Sequence, residues 1–121
     1  MQTDKNQSLS KRLRFAMRGL AHALSTEHSL RFQAATLVVV WVAMSIERPE
    51  PLWWAVVLLA STTVLAAELL NTAIEHLADH LHPQTHDRIR IVKDCAAAAV
   101  LLAASGAVAV GIALAAHLIK K

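Results

Sequence analysis

At 121 residues the chain has room for one domain, and 55% hydrophobic against 17% charged residues excludes an ordinary soluble domain of this size. A mean hydropathy of +0.43 points instead to a membrane protein. The formal charge of +3 is a mild excess, the single cysteine excludes an intrachain disulfide, and the lack of any GxxxxGK(S/T) or GxGxxG pattern excludes the familiar glycine-rich phosphate loops.

Residues 1–8, MQTDKNQS, are polar and read as frayed, with Ser8 placed to cap a helix starting near Leu9. Beyond it Leu9, Leu13, Ala16, Met17, Leu20 and Leu24 share one helical face, while Lys11, Arg14 and Arg18 lie opposite and Arg12 on the flank. This predicts a basic amphipathic helix over about residues 9–25, suited to an anionic membrane surface. The apolar run Ala34–Ile46, ending in Ala43-Met44-Ser45, has the length of a signal-peptide core, but the segment before it is too long for a normal signal n-region.

Residues 30–46 form the first expected span, short for a bilayer and extended by snorkelling of Arg31 and Gln33. Glu47-Arg48-Pro49-Glu50-Pro51 breaks the helix, and Trp53-Trp54 follows as an interfacial belt. The second helix, 52–81, is stopped by Pro83 and is long enough to cross the membrane and protrude. Residues 95–118 make the third span, rich in alanine, with Ser105, Gly106 and Gly111 offering close helix contact in lipid; Cys95 reads as an inert helix residue. Lys11, Arg12, Arg14 and Arg18 precede the first span, and Arg88, Arg90 and Lys93 lie between the second and third. The positive-inside rule therefore puts the N-terminus and the long loop in the cytoplasm, weakly opposed by Lys120 and Lys121.

That topology gathers polar residues at one level. Glu68, Asn71, Glu75 and Asp79 fall on one stripe of the second helix. Glu27 precedes the first span on the cytoplasmic side, and Lys93-Asp94 enters the third from the same side. Ionisable groups at the edge of a membrane are expensive and functional by default. The arrangement suits phosphoryl transfer from a soluble nucleotide to a lipid hydroxyl. Glu27 and Glu75 supply carboxylates for Mg²⁺, Lys93 offsets phosphate charge, Asn71 orients either group, and Glu68, about 10 Å deeper, takes the hydroxyl proton. Each residue also has a plainer reading: interhelical glue for Glu68 and Asn71, a solvated helix end for Glu75 and Asp79, a surface acid for Glu27, an anchor and a helix-start acid for Lys93 and Asp94. His76 and His80, at i and i+4 with His82 and His86 beyond, offer a rival zinc site, although HExxH is absent.

The segment E-L-L-N-T-A-I-E-x-x-x-D at Glu68–Asp79, followed by K-D-x-A-A at Lys93–Ala97, resembles the small prokaryotic integral-membrane diacylglycerol kinases, whose fold the undecaprenol kinases share. The resemblance extends through Arg18-Gly19-Leu20, Glu27 and Arg31 and covers nearly the whole chain. It implies a homotrimer of three-span subunits, each with an amphipathic N-terminal helix, that phosphorylates a lipid alcohol using ATP and Mg²⁺. On that pattern Glu68 corresponds to the catalytic base, and Glu27 and Glu75 to the metal carboxylates. Ser8, Phe15, Asn71, Gln84, Thr85, His86, Lys93 and Asp94 correspond to nucleotide-site positions. The lipid is expected against Arg12–Met17, Ala21–Leu24, Ser29, Leu30, Arg31, Gln33, Trp54 and Ala97. The chain departs from the familiar enterobacterial type at Ser8, Phe15-Ala16, Gln84-Thr85, Arg90 and Ala97.

The sequence thus predicts an all-α membrane protein with one lipid kinase domain over 1–121, in the bacterial cytoplasmic membrane. Diacylglycerol is the expected substrate and undecaprenol the alternative. Lipid, ATP and further copies of the chain are its expected partners, and nucleic acid is not. A non-enzymatic small membrane subunit or a transporter is the reading from another class; a transporter would be expected to carry an acid deep in the first span, and Ala34–Ile46 has none.

Overall fold

The structure, a computed structural model, describes residues 8–120; the first seven residues, expected to be frayed, and Lys121 lie outside the described residues. Four helices follow one another: α1 (Leu9–Thr26), α2 (His28–Glu47), α3 (Pro51–Leu81) and α4 (Asp87–Ile119). Of these, α2, α3 and α4 are long and apolar enough to cross a membrane.

Local chemistry explains the boundaries. Ser8 occupies the N-cap of α1, with its carbonyl accepting from the amides of Lys11 and Arg12. Its hydroxyl does not cap, however; it pairs with Ser10 Oγ at 3.1 Å. Glu27 separates α1 from α2 in an extended conformation, serving as C-cap of one and N-cap of the other. Arg31 reaches back from α2, its Nη1 donating to the carbonyls of Ser25 at 2.9 Å and Leu24 at 3.4 Å. It thereby satisfies orphan acceptors at the end of α1 and places a cation at the negative pole of that helix.

The C-cap of α2 is Arg48, in the left-handed region at φ 49° and ψ 58°, and the buried Pro49 follows. Pro51 starts α3 at the first helical position, where its missing N–H costs nothing. His86 caps α4 by accepting from the amide of Arg88 at 3.2 Å. The helix carrying the third apolar run thus begins at Asp87, a little over two turns before Cys95, because polar residues 87–94 continue the helix beyond its apolar stretch.

Packing is most extensive between α3 and α4, while α2 and α1 lie against α3 over smaller areas. Few apolar side chains are buried, among them Leu30, Met44, Val57, Val64 and Leu114. At one end Met44, Val57 and Leu114 form a core, backed by Trp41, Trp53 and Trp54. Toward the other end, the buried face of α3 turns polar through Ser61, Glu68 and Thr72. Ser61 satisfies its hydroxyl on the Val57 carbonyl at 2.6 Å, which leaves Glu68 as the costly buried group. A Cβ added at Gly106 or Gly111 would meet nothing within 4 Å, so their smallness serves no contact within the described residues of the chain.

Candidate active site

Glu68 is 3% exposed, on the face of α3 that meets α2. A buried carboxylate requires hydrogen-bonding partners, and α2 supplies two from successive turns. Ser29 Oγ donates to Glu68 Oε2 at 3.2 Å, and Gln33 Nε2 donates to Glu68 Oε1. Ser29 and Gln33 are separated by one helical turn, so both side chains emerge from the same face of α2. The structure therefore joins the expected base to two of the expected lipid-contacting residues. Leu30, another of these, is fully buried between them in sequence.

Gln33 Oε1 is buried and has no hydrogen-bonding partner. The residue also borders an apolar groove of about 250 Å³ formed by Phe32, Gln33, Thr36 and Leu37 of α2, Val64 of α3, and Ala104, Ala107 and Val108 of α4. The side chain that holds Glu68 is thus one wall of this groove.

One and two turns further along α3 stand Asn71 and Glu75; Asn71 Nδ2 donates to Glu75 Oε1 at 3.1 Å, while Asn71 Oδ1 is buried without a partner. Glu27 approaches the same part of α3: its Oε1 lies 3.6 Å from His76 Nε2, next in sequence to Glu75, and accepts from Thr26 Oγ1 at 3.4 Å. His22 stacks edge-on against His76 with ring centroids 5.8 Å apart. Glu27 and the Glu75 turn accordingly stand at one level. Glu27, Glu75 and the unpartnered Asn71 Oδ1 are all hard oxygen donors, the kind Mg²⁺ prefers, and Glu27 touches this stretch of α3 through His76. Among the described residues, no three His, Cys, Asp or Glu side chains gather around one point.

A cleft of about 290 Å³ opens between the end of α3 and the start of α4. It is lined by Asp79, His82, Gln84, Thr85, His86, Arg90, Lys93 and Asp94, among others. All five nucleotide positions expected from the loop and the start of the third span therefore share one cavity: Gln84, Thr85, His86, Lys93 and Asp94. Lys93 Nζ is hydrogen-bonded to Asp79 Oδ1 across the two helices, and Arg90 Nη1 donates to Asp94 Oδ2 at 3.0 Å. The rings of His82 and His86 lie 5.8 Å apart at 34° on the loop side.

Other expected positions are not drawn into this cluster. Ser8, Arg12, Phe15, Met17, Ala21 and Ala97 are exposed, and Leu24 is half-buried. Trp54 packs against Trp41 at 5.4 Å in the core at the opposite end, about 21 Å along α3 from Glu68. Conversely, three residues of the cluster were not among the expected kinase-site positions: His76 at Glu27, Asp79 at Lys93 and Arg90 at Asp94. Asp79 was visible on the acidic stripe, but its partner lies 14 residues away across a loop, beyond the reach of periodicity.

Comparison with known proteins identifies the family. The family model for prokaryotic diacylglycerol kinase matches residues 14–115. A diacylglycerol kinase of Synechocystis is 43% identical over 99 residues, covering 81% of this chain and 57% of that protein. An undecaprenol kinase of Bacillus subtilis is 33% identical over 85 residues, covering 70% of this chain and 69% of that protein. The chain therefore spans little more than half the length of the first relative and about two thirds of the second. With its membrane-grade helices and a family match over most of its length, the chain belongs to the prokaryotic diacylglycerol kinase family.

Proposed function

We propose that this chain is a lipid kinase that transfers the γ-phosphoryl group of ATP to the hydroxyl of a membrane lipid alcohol, with diacylglycerol as substrate and phosphatidic acid as product. The observation that carries this reading is the buried Glu68 carboxylate, held by Ser29 and by Gln33, which itself borders an apolar groove. A carboxylate in that position meets a hydroxyl that arrives from the lipid phase. The lipid hydroxyl replaces the hydroxyl of Ser29 at Glu68 Oε2, passes its proton to that oxygen, and its own oxygen attacks the γ-phosphorus. The bond from the γ-phosphorus to the β–γ bridging oxygen breaks, and ADP leaves. Gln33 keeps Glu68 in one rotamer throughout.

Glu27 and Glu75 are the residues that would hold Mg²⁺, with Asn71 fixing Glu75 through its amide. When bound, the metal neutralises phosphate charge as the transition state forms. Lys93 exchanges Asp79 for the phosphates, and Gln84–His86 border the same cleft. Catalysis rests on positioning and charge, as this reaction requires.

The whole chain acts in this reading as a single integral-membrane domain in the bacterial cytoplasmic membrane, with α1 lying on the cytoplasmic surface as an amphipathic helix. It functions as a homotrimer. Gly106 and Gly111, unused within the subunit, support close contact between copies.

The names of the relatives favour two lipids, and one experiment separates them. Purified protein in mixed micelles is given MgATP labelled at the γ-phosphate with diacylglycerol or undecaprenol. Labelled phosphatidic acid is the expected product. Exclusive labelling of undecaprenol would move the substrate to the second lipid, and no transfer to either would reject the kinase reading.

A further inference from the structure

We infer that Arg90 is a phosphate-binding residue of the nucleotide cleft, forming with Lys93 a two-cation clamp for a polyphosphate chain. The inference deepens the lipid-kinase reading and rests on it for the identity of the nucleotide. Arg90 and Lys93 stand three residues apart on α4, hence on one face of the helix, and both line the 290 Å³ cleft. Each is paired with a carboxylate: Lys93 with Asp79 and Arg90 with Asp94 at 3.0 Å. The cleft is thus charge-balanced in a form that a polyanion can exchange.

The Arg90–Asp94 pair is easily exchanged. Its side chains are 61% and 64% exposed, and a pair spaced i, i+4 on a wet helix surface contributes little to stability. A guanidinium fork meets phosphate oxygens in two parallel charge-assisted hydrogen bonds, a stronger arrangement than one exposed contact to a carboxylate. Exchange also releases Asp94 beside the bound phosphates, where a carboxylate serves the hydration shell of a magnesium nucleotide rather than a protein cation. A single cation would hold a monophosphate equally well; two cations on adjacent turns favour two or three linked phosphates.

The test uses the full chain in micelles and reads binding by displacement of a fluorescent ATP analogue, alongside turnover. Arg90→Ala is expected to weaken ATP and ADP about tenfold, as loss of a charged hydrogen bond does, while AMP binding stays within about twofold and the KM for ATP rises in step with the lost affinity. Arg90→Lys should lie between wild type and Arg90→Ala, which separates loss of contact from loss of fold. The double variant Arg90→Ala/Asp94→Asn should bind ATP no better than Arg90→Ala alone. Unchanged ATP affinity in Arg90→Ala, equal weakening of AMP, or recovery of ATP affinity in the double variant would each overturn the inference. The last would assign Arg90 only to neutralising Asp94. Direct binding also separates this claim from the kinase reading: a wild-type chain that binds ATP through Arg90 yet labels no lipid would keep the clamp and reject the lipid kinase.

Discussion

Ser29 Oγ lies 3.2 Å from Glu68 Oε2, so a hydroxyl occupies the position that the lipid hydroxyl takes in the proposed mechanism. The two residues are 39 positions apart in sequence and meet only because α2 packs along α3. Gln33 completes the arrangement from the next turn.

The two donors should be separable by mutation. Ser29→Ala removes the exchangeable hydroxyl and is expected to change kcat less than about tenfold, since the lipid takes its place. Gln33→Leu leaves Glu68 short of a donor in a buried site, at a cost of about 1–3 kcal/mol. It should lower both thermal stability in detergent and kcat, and raise the KM for lipid by disordering the base. Paired kinetics and thermal inactivation check this; equal, negligible effects would show that neither residue orients Glu68.

Glu27 and Glu75 should share one metal. Glu27→Gln and Glu75→Gln are each expected to raise the Mg²⁺ concentration for half-maximal activity by about 10–100-fold, the range that even an outer-sphere ligand commands. The double variant should be scarcely worse than either single one, as expected for residues acting as a unit. Titration of activity with Mg²⁺ at fixed ATP makes the comparison. Independent, additive losses would argue for two separate roles.

Lys93 and Asp79 predict opposite outcomes for the two ends of one ion pair. With side chains 35% and 61% exposed, the pair should contribute no more than about 1 kcal/mol to stability. Asp79→Asn therefore leaves the fold intact, frees Lys93, and should lower the KM for ATP or leave it unchanged. Lys93→Met should raise that KM by about tenfold or more, as a lost charged contact does. Steady-state kinetics in ATP at saturating lipid distinguishes the two.

Arg48 closes α2 in a left-handed conformation that favours glycine. Arg48→Gly is expected to leave thermal stability within about 1 kcal/mol of wild type, whereas Arg48→Val, branched at Cβ, should destabilise by about 1–2 kcal/mol. Thermal inactivation in one detergent compares both.

Within a single helix, the sequence was informative. The stripe Glu68, Asn71, Glu75 and Asp79 is a property of one periodic element, and Pro51 and Pro83 bracket its helix. Hydropathy placed the third span at Cys95, although α4 begins at Asp87, because polar residues 87–94 extend the helix where apolar content carries no signal. Contacts between helices were not legible: His76 with Glu27, Lys93 with Asp79 and Ser29 with Glu68 depend on how the helices lie against one another. Ser8 showed the same limit locally, since its position at the N-cap was readable but the diversion of its hydroxyl to Ser10 was not.

Glu68→Gln tests the account most directly, because glutamine matches the side chain in size but cannot take a proton. Turnover with labelled γ-phosphate should fall by about 100-fold or more, the lower range for general base catalysis, while ATP binding and thermal stability stay near wild type. Turnover close to wild type in a folded, ATP-binding Glu68→Gln protein would contradict the assignment of the base.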